Sequence, residues 1–243
     1  MIETQNLKKW YIISVSILFA LILVLSTFLI YILTENNAEN IFRNNQLSVV
    51  EVKCSTLEVG EAYGTGVIIK NDGEFVTNAH VVSYTKLGVD YTFETFEVRF
   101  INEEDYREAE LIKFDETLDI AVLKIVDLPS KVIPAILGDS SNLNYGEIVY
   151  ALGNGSNYGL SLTTGIISMP LVNVSYEENI KEVIQCDLTI SAGNSGGALL
   201  DSNGRLIGIT TFRTKDTSGD VIYGIAYSIP IQLVIDYVNE ESV

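Results

Sequence analysis

From Ser48 onward the sequence is a succession of short apolar runs cut by turns, and this spacing limits what the chain can fold into. The runs are Ser48–Cys54, Gly66–Lys70, Phe96–Asn102, Ile120–Val126, Ile148–Leu152, Thr164–Ser168, Glu182–Asp187, Leu206–Phe212 and Tyr223–Ile229, all rich in Val, Ile or Phe. Between them stand Asn71-Asp72-Gly73, Gly138-Asp139, Gly153-Asn154-Gly155 and Ser202-Asn203-Gly204. β-Branched and aromatic side chains suit a pleated, half-buried surface, whereas Gly, Asn and Asp supply the backbone angles that turns demand. Strands at this density, with almost no helix between them, specify an all-β sandwich or barrel. One helix is expected late. Pro230 suits a first helical turn, and Ile231, Val234, Ile235 and Val238 fall on one face of the helix it would open.

The N-terminal segment has a different pattern. Tyr11 to Leu33 is uncharged. At ~1.5 Å per residue it makes roughly 35 Å of helix, against a hydrocarbon core of about 30 Å. Trp10, Tyr11 and Tyr31 stand near its ends, where amphipathic rings favour the interface, and Lys8 and Lys9 precede it. Residues 11–33 therefore read as a transmembrane helix, with 1–10 in the cytoplasm and everything after residue 34 outside. A cleaved signal peptide fits less well, because its apolar core is usually ~7–15 residues and no small-residue cleavage site comes after it. Residues 34–47 are polar and Asn-rich and read as a stalk; 48–241 reads as the folded domain.

After residue 34 the chain carries 31 acidic and 13 basic residues, a net charge of −18. Such a domain repels phosphate backbones, so no nucleic-acid partner is expected. Cys54 and Cys186 are the two cysteines. They could bridge in an oxidising compartment or stay as buried thiols, and the spacing does not decide. No CxxC or HxxxH pair occurs, so no metal site is expected.

Three segments carry chemistry. Gly193-Asn194-Ser195-Gly196-Gly197 places a serine between glycines, which lets backbone N–H groups converge on one point. His80, in Thr77-Asn78-Ala79-His80-Val81-Val82, is the chain's one histidine. Asp119 opens the apolar run Ile120-Ala121-Val122-Leu123, a costly place for a carboxylate unless it is paired. Taken singly, each has an ordinary explanation: a glycine turn, a surface imidazole, a strand-edge acid. Their order along the chain, His then Asp then Ser, is that of the chymotrypsin arrangement and agrees with an all-β domain. Two barrels are then expected over about 48–130 and 131–230, with His80 and Asp119 on the first and Ser195 on the second.

The same segments resemble the HtrA-type (Deg) proteases, block by block and in order. The blocks are Tyr63–Ile69, Thr77–Val82, Asp119–Lys124, Leu152-Gly153-Asn154, Leu162–Ser168, Gln185 through Leu199, and Ala226–Pro230. The resemblance covers about residues 48–240 and implies a trypsin-like double six-stranded β-barrel with a short C-terminal helix. It implies a serine endopeptidase acting on exported, unfolded or misfolded proteins without metal or cofactor. Ser195 would be the nucleophile, His80 the general base and acid, and Asp119 the residue that fixes the imidazole. The backbone N–H groups of Gly193 and Ser195 would form the oxyanion hole. The pocket for the residue before the scissile bond would be lined by Thr189, Ile190, Thr210, Thr211, Phe212 and Ile225, uncharged and suited to Val, Ile or Ala. The family often forms trimers through residues just before the protease domain, so a homotrimer is a candidate assembly. Only 13 residues come after Pro230, and the expectation is a chain without the family's peptide-binding PDZ domain. The competing reading is a non-catalytic binding or chaperone module on the same fold.

Overall fold

The computed structural model describes residues 2–35, 38–155, 158–176, 179–215 and 221–240. It divides after Asn40 into two units. Most of the first is α1 (Ile2–Glu35), whose segment Asn6–Ile32 is long and apolar enough to cross a membrane and has none of its surface buried. The adjoining α2 (Ala38–Asn45) runs into the second unit. From Ile41 the chain is no longer a free polar stalk. Ile41 is buried in the core cluster of the domain with Phe42 packed beside it, and the buried Asn45 donates to the Ile41 carbonyl at 2.9 Å. About two helical turns offer too short a pattern for that apolar side to stand out among the polar residues around it.

The rest is β structure. The first barrel comprises β1 (Val49–Thr56), β2 (Gly60–Ile68), β3 (Glu74–Thr77), β6 (Thr95–Phe100), β7 (Arg107–Asp115) and β8 (Ile120–Ile125). It closes in the order β1-β2-β3-β8-β7-β6. Between β3 and β6 lie the single turn α3 (Ala79–Val82) and a two-stranded sheet, β4 (Ser83–Lys86) with β5 (Val89–Thr92). The second barrel comprises β9 (Ile148–Gly153), β10 (Ser161–Tyr176), β11 (Asn179–Cys186), β12 (Ala198–Asp201), β13 (Leu206–Lys215) and β14 (Val221–Pro230). It closes as β10-β11-β14-β13-β12-β9, and α4 (Ile231–Asn239) comes after it. The fold is the double six-stranded barrel expected, with its C-terminal helix.

Strand period explains why the runs read as solidly apolar. In β8, Ala121, Leu123 and Ile125 fill the interior of the first barrel, while Ile120 and Val122 join a separate cluster between the barrels. In β9, Val149 and Ala151 face the second barrel's interior, and Tyr150 and Leu152 face the shared cluster. Alternate residues are buried on both faces, so no polar face interrupts the pattern. The apolar side of α4, with Ile231 and Val234 fully buried, completes the shared cluster. Lys113 of β7 donates to the carbonyls of Tyr237 and Glu240 at 2.8 and 2.6 Å, a cation at a helix C-terminus that ties α4 to the first barrel.

Cys54 lies on β1 and Cys186 on β11, and both are free, buried thiols. Burial pushes each thiol up to about 12.

Candidate active site

Register brings the first two site residues together. β3 and β8 pair antiparallel with Thr77 opposite Ala121, so the residues just beyond that pair, Asn78–His80 and Asp119, meet at the end of the ladder. His80 sits on α3 and is exposed; Asp119 is 4% exposed. His80 Nδ1 lies 2.9 Å from Asp119 Oδ1 and 3.0 Å from Oδ2. The His80 backbone N–H donates to the same Oδ1 at 3.1 Å. An ionised carboxylate only accepts, so Nδ1 carries a proton, and in the neutral ring the lone pair is then on Nε2.

Asp119 has a third donor. Thr211 Oγ1 donates to Asp119 Oδ2 at 2.6 Å from across the barrel boundary. Burial works to raise this carboxyl. The His80 hydrogen bond and charge, the Thr211 hydroxyl and the nearby Lys181 charge outweigh it and hold the group below its ordinary value.

Ser195 is carried by the loop before β12. Gly193 and Gly196 take φ of +94° and +84°, values that only glycine adopts without strain. At Gly196 a methyl group would stand 2.0 Å from the Thr65 carbonyl oxygen and 2.1 Å from Thr77 Oγ1, so the loop presses directly on the first barrel. The contact is hydrogen-bonded: Thr65 N–H donates to the Ser195 carbonyl at 2.9 Å, and Thr65 Oγ1 donates to the Gly193 carbonyl at 2.6 Å. On the other side, Gly196 N–H reaches the Thr210 carbonyl at 2.8 Å. The N–H groups of Gly193 and Ser195 have no acceptor among the described residues. The hydroxyl of Ser195 donates to the Thr211 carbonyl at 3.0 Å, and among the described residues no hydrogen bond joins it to His80.

The six residues expected to line a pocket are dispersed in role. The Thr211 hydroxyl is turned to Asp119, and the Thr210 hydroxyl donates to the Asn194 carbonyl at 2.6 Å. Ile190 packs into the second barrel's interior with Leu188 and Leu199. Phe212 meets Tyr227 in a tilted ring contact with centroids 5.1 Å apart, and Ile225 packs against that pair. Thr189 is exposed. Thr65, Asn78 and Thr211 are site residues that motif reading did not single out for these contacts, although each lies in or beside a quoted block.

Residues 64–209, which contain His80, Asp119 and Ser195, match the trypsin-like peptidase domain. The chain is 38% identical over 184 residues to the serine protease Do-like HtrA of Lactobacillus helveticus, covering 73% of this chain and 42% of the relative. It is 34% identical over 178 residues to the serine endoprotease DegS of Haemophilus influenzae, covering 73% of this chain and 49% of the relative. Among solved structures, the HtrA-type protease AlgW with tripeptide superposes with a TM-score of 0.72 at 30% identity, covering 83% of this chain and 62% of that one. The chain spans about half the length of the curated relatives it matches. With a trypsin-like domain model over most of the double barrel and HtrA relatives on both sequence and structure, the chain belongs to the trypsin-like peptidase family and is of the HtrA type.

Proposed function

We propose that the chain is a serine endopeptidase whose nucleophile is Ser195, whose general base and acid is His80, and whose imidazole is oriented by Asp119. The observation that carries this reading is the buried Asp119 carboxylate bound by His80 Nδ1, His80 N–H and the Thr211 hydroxyl, beside a serine loop with two N–H groups that have no acceptor among the described residues. Asp119 holds the tautomer in which Nε2 accepts a proton. Ser195 leaves the Thr211 carbonyl by rotation about its side-chain bond and donates to Nε2. Attack on a peptide carbonyl then passes the serine proton to His80, which returns it to the departing amine; water repeats the cycle on the acyl-enzyme. The N–H groups of Gly193 and Ser195 receive the oxyanion, a contribution worth about 10²–10³ in rate per donor.

The substrates of this reading are exported polypeptides in unfolded form, cleaved after small or medium aliphatic residues such as Val, Ile or Ala. Thr189, Ile190 and Phe212 themselves carry no charge, which supports that preference. The apolar Asn6–Ile32 helix supports a single-pass anchor. Lys8 and Lys9 before it favour a cytoplasmic N-terminus, with the protease domain outside.

The test is digestion of casein by the full chain in detergent, beside His80→Ala and Ser195→Ala. Fragments from the parent alone support the reading. Intact casein with all three forms, together with suppressed aggregation of an unfolded client, would replace it with a non-catalytic binding module.

A further inference from the structure

Asp119 takes φ +59°, and Leu87 is the one other non-glycine residue with positive φ among the described residues. This backbone crowds Cβ against the following carbonyl, and such a conformation persists where the surroundings over-determine it. Here it turns the carboxylate back toward His80. Its carbonyl oxygen lies at the end of β3 and β8, where Thr77 and Ala121 form the last pair of the ladder. A side chain takes over where the backbone pairing stops: Asn78 Nδ2 donates to the Asp119 carbonyl at 3.0 Å.

We propose that Asn78 is a positioning residue for the triad, clamping the left-handed backbone of Asp119 so that its carboxylate meets His80. Two further observations separate this role from ordinary local stabilisation. Asn78 occupies the N-cap of α3, where an asparagine side chain normally caps the helix, yet it makes no capping hydrogen bond. Its Oδ1 is buried without a hydrogen-bond partner among the described residues, an arrangement that native interiors avoid. The side chain thus forgoes its local use and leaves one atom unsatisfied while its amide serves Asp119. Asn78 also lies two residues before His80, so one residue joins the imidazole segment by the chain and the carboxylate segment by its amide.

The inference rests on the catalytic reading above, and its test has one arm that does not. His80 is the chain's one histidine, so an imidazole nitrogen and proton spectrum of the labelled full chain in detergent contains a single set of signals. In the parent, the Nδ1–H resonance is expected far downfield. In Asn78→Ala and in the near-isosteric Asn78→Asp, it is expected to move upfield or broaden into exchange. On a fluorogenic peptide, kcat is expected to fall by about 10- to 100-fold with KM changed less than about twofold, because the loss is one of alignment and not of binding. A folded variant with the parent's imidazole spectrum and kcat, altered only in melting temperature, overturns the proposal. So does failure of both variants to fold, which assigns Asn78 to stability alone. If the parent itself is inactive, the catalytic reading falls and the spectral arm still decides whether Asn78 aligns Asp119 with His80.

Discussion

His80 and Asp119 lie at one end of the first barrel and are already joined, whereas Ser195 rides on a loop of the second barrel and is joined elsewhere. The first pair is fixed by a strand ladder that ends on it, by three donors to one buried carboxylate and by the amide of Asn78. The serine is fixed by glycines at positive φ and by Thr65, and its hydroxyl points to the Thr211 carbonyl instead of the imidazole. The charge-bearing half of the site must be set before reaction, because a buried carboxylate that loses its partners is expensive. The hydroxyl half is neutral, and a change of side-chain rotamer is a small step. Thr211 serves both halves, with its hydroxyl on Asp119 and its carbonyl on Ser195.

The sharpest break of this contrast is removal of the proposed nucleophile. Ser195→Ala is expected to lower kcat by about 10⁶ while leaving the melting temperature near that of the parent, since the hydroxyl makes one half-buried contact. Next, Gly196→Ala tests whether the serine loop has any slack. The added methyl meets the Thr65 carbonyl and demands φ +84° of an alanine, so stability is expected to drop by roughly 1–3 kcal/mol and kcat/KM by about 10², read by thermal unfolding and peptide hydrolysis. Thr211→Val keeps the shape and the carbonyl but removes the donor to Asp119. That hydrogen bond to a charged group is worth about 1.5–3 kcal/mol, and steady-state kinetics is expected to show about a tenfold loss in kcat.

A pH titration of stability probes the first half by itself. The folded Asp119 carboxyl lies below its unfolded value, so its contribution is complete above the ordinary carboxylate range and is lost as pH falls through the lowered folded value. Asp119→Asn is expected to flatten that acid limb in chemical denaturation, whereas Ser195→Ala leaves it unchanged. The smallest effect belongs outside the site. With both thiols held up to about 12, Cys54 and Cys186 carry almost no thiolate near neutral pH, and iodoacetamide is expected to leave the native enzyme's turnover untouched.

The barrels were legible in the sequence, and so were the three residues that the proposed mechanism uses, because each leaves a local mark. Apolar runs of strand length mark the barrels, and short glycine-rich or histidine-bearing blocks mark the chemistry. What escaped depends on distant pairing. β7 carries Arg107, Glu108, Glu110 and Lys113 and reads as a charged surface until Ala109 and Leu111 are seen packing inward. β12 is only Ala198–Asp201, hidden behind the serine loop. The part of Thr211 in the site comes from β13 reaching Asp119 across 92 positions of sequence, and that of Asn78 from the register of β3 on β8. Neither interaction has a signature in the residues beside it.

The most direct test of a site whose two halves complete one another is covalent labelling. The full chain in detergent is treated with a fluorophosphonate, and the modified peptide is located by mass spectrometry. The account predicts a single adduct on Ser195, abolished in His80→Ala and slowed in Asp119→Asn. An adduct elsewhere, no adduct, or undiminished labelling of Ser195 without His80 would contradict it.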